Sequence, residues 1–175
     1  NQAIMEFGAR HCVPQNPVCS SCIFNDSCEA FRTKKVVELP VKIKKLKVKK
    51  RFFNYCVLLS EDNKTILQKR EGKGIWQHLY EFPLIESATA LTEVAFHNEV
   101  ASMEIFKNFT PITITRYNDV PIVHKLSHQH LVTTFWVFQV AKLSVDGVSL
   151  LEVHNFPVPI LIGKFINEFS PFNVS

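Results

Sequence analysis

A chain of 175 residues, 46% hydrophobic and with fifteen phenylalanines, can build one compact domain and a small appendage, but not two full domains. No apolar run approaches the roughly 18–20 residues that cross a bilayer, and no charged-then-apolar leader opens the sequence, so neither a membrane-spanning nor a secreted protein is expected. The net charge of +4 conceals two unequal regions. Residues 33–51 hold Lys34, Lys35, Lys42, Lys44, Lys45, Lys47, Lys49, Lys50 and Arg51 against the single acid Glu38, a net +8 that leaves −4 on the other 156 residues. Such a strap suits a polyanion partner or, equally, a self-repelling extended tether.

In chain order, residues 1–11 read as the end of a helix with Ala3, Ile4 and Phe7 on one face and Gly8 as its terminator, so the chain is expected to be part of a longer one. Residues 12–28 have loop composition, and the basic strap that follows serves as the domain boundary. Phe52–Leu59 and Thr65–Lys69 are strand-like and, with Asp62-Asn63 between them, predict a hairpin. Gly72 and Gly74 lead into Trp76, Tyr80 and Phe82, which are most simply core aromatics. The spacing of Leu91, Val94, Ala95, Val100 and Ile105 predicts a helix over 88–106, capped at Ser87 or Thr89. Three more strands are expected at 110–117, 121–126 and 131–140, then a short amphipathic helix over 160–169 opened by Pro157 and Pro159. The result is an α/β body of two helices and five or six mostly antiparallel strands.

Four of the five cysteines, Cys12, Cys19, Cys22 and Cys28, fall within seventeen residues, and Cys56 stands alone in an apolar run. An odd count without a secretion signal argues against a disulfide framework. Four thiolates in one loop can hold a tetrahedral zinc or a [4Fe–4S] cluster. Only Cys19 and Cys22 form the tight pair typical of zinc ribbons, so the wider gaps favour the cluster, with zinc and unligated thiols as alternatives.

The run Asn1-Gln2-Ala3-Ile4-Met5-Glu6-Phe7-Gly8-Ala9, followed by Cys12, Pro14, Pro17, Cys19, Cys22 and Cys28, resembles the helix and iron–sulfur loop of the adenine DNA glycosylase (MutY) family. The resemblance makes the four cysteines cluster ligands in a loop that presents basic residues to DNA. Ile66 to Pro83, with its Gly-Ile-Trp and Tyr-Glu-Phe-Pro elements, is similar to the opening of the Nudix-like domain of that family. The implied architecture is a Nudix-like α/β/α sandwich with a mixed sheet (residues 52–175), preceded by a helical iron–sulfur loop remnant (1–32) and an extended basic linker (33–51).

A Nudix hydrolase, the alternative function, holds Mg²⁺ on several carboxylates of one helix face against a diphosphate. Glu93, Glu99 and Glu104 are six and five residues apart, off the i,i+3 and i,i+4 spacings, and have no accompanying Arg. A Nudix fold without hydrolase chemistry is therefore expected. Leu126-Ser127-His128 aligns with the aromatic-Ser-His loop that, in the resembled family, probes the damaged guanine. Ser127 would then bond the oxidised edge, His128 would support the loop or contact the opposite strand, and Leu126 would wedge where the family has Phe. On the residues alone, this segment is a polar turn.

The resemblance thus implies the C-terminal part of an enzyme that excises adenine opposite 8-oxoguanine in base excision repair. The partner would be duplex DNA with that mispair, the strap lysines Lys42, Lys44 and Lys45 would lie on the backbone, and a bacterial, cytoplasmic, nucleoid-associated monomer is expected. The catalytic Glu and Asp would lie upstream of Asn1, so no catalytic residue is expected in this chain.

Overall fold

The computed structural model describes residues 1–13, 15–39, 48–107 and 111–173. The chain divides into two compact units, Asn1–Leu46 and Lys47–Ser175.

In the first unit, helix α1 (Gln2–Arg10) buries no residue of its own, although Phe7 stacks on His11 and meets Phe24 edge-on. Gly8 lies inside this helix, which closes at His11 through its amide on the Phe7 carbonyl, so the glycine is not the expected terminator. Two 3₁₀ turns, Cys19–Ser21 and Asn25–Ser27, carry the cysteine loop into helix α2 (Glu29–Arg32).

The second unit begins with strand β1 (Lys49–Ser60), whose first three residues are the last three of the basic strap. Then follow β2 (Lys64–Thr65), β3 (Gln68–Lys69), β4 (Tyr80–Glu81), β5 (Leu84–Ser87), α3 (Glu93–Ser102), β6 (Thr113–Arg116), β7 (Ile122–Lys125), β8 (Gln129–Val140), β9 (Val148–Ser149) and α4 (Ile160–Glu168). β1 and β8 form a parallel central pair in register from Lys49↔Gln129 to Ser60↔Val140. β5 flanks β1, while β6 and β7 pair antiparallel with the two halves of β8, giving a mixed five-stranded sheet. A strand covered on both faces needs apolar residues at successive positions rather than alternation. This accounts for Phe53–Leu58 and Phe135–Phe138, all buried.

Each sheet face carries its own core. Phe53, Tyr55, Val57, Leu131, Phe135 and Val137 pack with Phe82 and with Leu161, Ile162, Phe165 and Ile166 of α4. Cys56, Leu58, Trp136, Phe138 and Val140 pack with Phe96 and Val100 of α3 and with Phe106. The expected α/β/α sandwich with a mixed sheet is observed. Burial pushes the Cys56 thiol pKa well above its ordinary value, so this cysteine is an inert packing group.

Three element assignments differ from the sequence expectation. Residues 65–69 do not hairpin with β1. Thr65 pairs with Val148 and Gln68 with Glu81, because the edges of β1 are taken by β5 and β8. The helix expected over 88–106 is confined to α3, capped by Thr92 Oγ1, which accepts from the Ala95 amide at 3.2 Å. Its buried residues are Phe96 and Val100, whereas Val94 is exposed. Of the three expected core aromatics, Phe82 is fully buried, but Trp76 is half-buried at the edge of the α4-side core and Tyr80 is half-buried against Phe156.

Candidate functional site

The β7–β8 hairpin places Leu126-Ser127-His128 at its tip. The Leu126 amide donates to the Gln129 carbonyl at 2.9 Å and closes the turn. The Lys49 amide donates to the His128 carbonyl at 3.1 Å and ties the turn to the start of β1. Both backbone anchors face inward, and the side chains of Ser127 and His128 are left exposed. Among the described residues the Ser127 hydroxyl makes no hydrogen bond, so it is free to donate and accept. Leu126, expected as a wedge, is half-buried and packs against the α4-side core, where it anchors the turn.

Basic groups surround the tip unequally. His130 on β8 is in register with Lys50 on one side and Lys125 on the other, so three strands present a Lys-His-Lys row on one face of the sheet. Lys49, Lys50 and Lys125 are exposed. Arg51, counted with the strap on charge, is directed elsewhere. It makes a bidentate pair with Glu86 at 2.6 Å per bond, donates to Gln129 Oε1 at 3.1 Å, and covers the Phe53 ring at 4.9 Å. Lys42, Lys44 and Lys45 lie outside the described residues.

Glu81, the acid that follows the glycines, has a side chain only 10% exposed. It accepts from Arg70 Nη1 at 2.5 Å and from the Tyr55 hydroxyl at 3.0 Å. Burial raises the Glu81 pKa above its ordinary value, with Arg70 opposing, and burial also raises that of Tyr55. Arg70 Nε is buried without a partner among the described residues. The preceding loop is held in left-handed backbone at Trp76 (φ 60°) and His78 (φ 68°), and Trp76 rests against Phe53 and His124. The α3 acids are dispersed: Glu93 faces His97, Glu104 pairs with Lys107 after the helix, and Glu99 is exposed. The Arg51–Glu86 and Arg70–Glu81 pairs leave no sequence signal, since their members are 35 and 11 residues apart with no shared spacing.

In the first unit, Cys12, Cys19, Cys22 and Cys28, with His11 and Pro17, line a single cavity of about 40 Å³, and all four thiols are free. Among the described residues no three His, Cys, Asp or Glu side chains are close enough together to hold one metal ion.

The NUDIX domain model matches residues 54–168, the body that carries the turn and both cores. The chain belongs to the NUDIX domain family. Among curated relatives, adenine DNA glycosylases from two Buchnera aphidicola subspecies are similar to it. That of Schizaphis graminum is 27% identical over 97% of this chain and 48% of its own length, and that of Baizongia pistaciae is 29% identical over 99% and 48%. The chain therefore spans about half the length of the curated relatives it matches. Two solved structures share the Nudix fold at low identity. The C-terminal domain of mouse MUTYH, solved with human PCNA, has a TM-score of 0.53 at 14% identity, covering 67% of this chain and 85% of that one. The MutT protein from Methanosarcina mazei Go1 has a TM-score of 0.51 at 15% identity, covering 77% and 100%.

Proposed function

We propose that this chain is the lesion-recognising half of an adenine DNA glycosylase and reads 8-oxoguanine opposite adenine through the Ser127-His128 turn. The carrying observation is the turn itself: its backbone is anchored by two hydrogen bonds, while the Ser127 hydroxyl is exposed and makes no hydrogen bond among the described residues. 8-Oxoguanine differs from guanine by a carbonyl at C8 and a proton on N7. A hydroxyl that both donates and accepts can distinguish that edge from the bare N7 acceptor of guanine. Similarity to adenine DNA glycosylases along almost the whole chain supports the reading. Excision of adenine would require groups outside this sequence.

Ser127→Ala is expected to reduce the preference for 8-oxoguanine:adenine over guanine:adenine duplexes about fivefold, the scale of one net hydrogen bond. Competition binding at fixed salt measures it, and an unchanged ratio would remove Ser127 from the role.

The basic row and strap would hold the DNA backbone. Replacing Lys42, Lys44, Lys45, Lys47, Lys49 and Lys50 by Gln is expected to flatten the slope of log affinity against log salt by up to about five, at roughly 0.9 for each phosphate that is no longer neutralised. An unchanged slope would make the strap a tether.

Cys12, Cys19, Cys22 and Cys28 would hold the proposed [4Fe–4S] cluster, whose part is to fix the loop rather than to react. Absorbance near 400 nm together with iron and sulfide analysis tests this, and stoichiometric zinc would contradict it.

The shared Nudix fold favours one second reading, hydrolysis of a nucleotide diphosphate. The engagement of Glu81 by Arg70 and Tyr55 weighs against it, since a metal would have to displace both. Mg²⁺-dependent release of phosphate or pyrophosphate from nucleoside triphosphates would favour the hydrolase.

A further inference from the structure

We infer that Arg51 is a positioning residue for the reading turn, clamping its C-terminal limb through Gln129, and is not a phosphate contact despite lying at the end of the basic strap. The inference deepens the proposed reading of the turn and rests on it.

Charge alone groups Arg51 with Lys49 and Lys50. Geometry separates them. β1 alternates its side chains, so Lys50 points to the α3 side of the sheet while Arg51 shares the α4 side with Phe53. There its side chain is only 18% exposed. All three guanidinium nitrogens are engaged: Nε and Nη2 donate to the two Glu86 carboxylate oxygens at 2.6 Å each, and Nη1 donates to Gln129 Oε1 at 3.1 Å. The guanidinium lies 4.9 Å from the Phe53 ring centroid, which restrains the remaining freedom of the side chain. Glu86 holds the Arg51 pKa above its already high value, and Arg51 in turn lowers that of Glu86, as expected of a mutually satisfied pair.

The second link is Gln129. It directly follows Ser127-His128, and its carbonyl accepts the hydrogen bond from Leu126 that closes the turn. Two residues before Arg51, the Lys49 amide holds the His128 carbonyl. The start of β1 therefore grips the reading turn twice, once through backbone and once through the Arg51–Gln129 bond. A side chain that must address one atom of a base edge needs such support, because a displacement of about 1 Å already degrades a site of this kind. Glu86, on β5, fixes the other end of the clamp to the sheet.

The test uses the whole chain and three variants: Arg51→Met, Arg51→Lys, and the exchanged pair Arg51→Glu/Glu86→Arg. In Arg51→Met, preference for 8-oxoguanine over guanine is expected to fall about fivefold, as in Ser127→Ala, with the salt slope unchanged. A phosphate contact would instead lower the slope by roughly 0.9 and leave the preference intact. Arg51→Lys keeps the charge but lacks the fork, so it should fold and still lose preference. The exchanged pair should recover it, because the Gln129 amide can turn to donate to the new carboxylate.

Amide exchange of Leu126 and Lys49 gives a reading independent of DNA. It should accelerate in Arg51→Met relative to the middle of β8. Retained preference in Arg51→Met and Arg51→Lys, or unchanged exchange at both amides, overturns the clamp. If the unmodified chain itself shows no preference, the lesion-reading proposal falls, and the exchange result alone then decides whether Arg51 holds the turn.

Discussion

Phe165→Ala is expected to lower the unfolding free energy by about 3–5 kcal/mol. Phe165 is 2% exposed on α4 and stacks on Phe135 of the central strand with centroids 4.1 Å apart and rings 4° from parallel. Phe82 meets it edge-on at 5.8 Å, Tyr117 edge-on at 5.0 Å, and Phe169 stacks at 5.1 Å. Truncation would remove the hub of an aromatic cluster that joins α4, the central strand and the strand-leading Phe82. Rigid rings cannot flow into the vacated space, so cavity cost adds to lost burial. Urea unfolding followed by fluorescence measures the change. A loss below about 1 kcal/mol would mean that α4 does not seal this face in the way described.

The second large effect concerns charge. Arg70→Met is expected to cost about 3 kcal/mol at neutral pH, because it leaves the Glu81 carboxylate shielded from water without its counterion. Tyr55 alone would remain as a donor to it. The pH dependence has a definite sign. Burial already raises the Glu81 pKa above its ordinary value of 4.5, so whatever this site contributes to stability is fully present below the unfolded pKa and is lost as pH rises through the folded one. Removing Arg70 raises the folded pKa further. The deficit of the variant should therefore be large at pH 7 and should shrink toward pH 4.5, where a protonated Glu81 needs no cation. Equal deficits at the two pH values would show that Arg70 matters through packing and not through its charge.

Much of the body is legible in the sequence because burial on both faces leaves a strong mark. The apolar runs 52–59 and 131–140 stand out for that reason, and so does the α4 segment introduced by Pro157 and Pro159. What is not legible is pairing. Thr65-Ile66-Leu67-Gln68-Lys69 has the composition of one strand, yet it serves two short ladders with partners 83 and 13 residues away, a choice made by sheet topology and not by local preference. Helix α3 shows the same limit. Composition marks both Val94 and Val100 as apolar, but the buried face is set by Phe96 and Val100 at i,i+4, which leaves Val94 outward.

The candidate site is legible as a turn, and its residues 126–128 are identified by resemblance. Their support is not. Arg51 reads as one more charge in a basic run until strand alternation separates it from Lys50, and Glu86 has no motif to announce it. Analogy makes Leu126 a wedge, and its half-buried packing against the α4-side core is a feature the sequence does not announce. Net charge misleads similarly, since one of the nine strap cations is neutralised within the body.

The central claim, that the turn at residues 126–129 reads the oxidised guanine, is tested most directly by amide chemical shifts on titration with two duplexes that differ only in 8-oxoguanine or guanine opposite adenine. The lesion duplex should move the amides of Ser127, His128 and Gln129 beyond the shifts that both duplexes produce at Lys49, Lys50 and Lys125. Identical shift patterns for the two duplexes, or lesion-specific shifts centred on Gly72–Gly74 and Glu81, would contradict it.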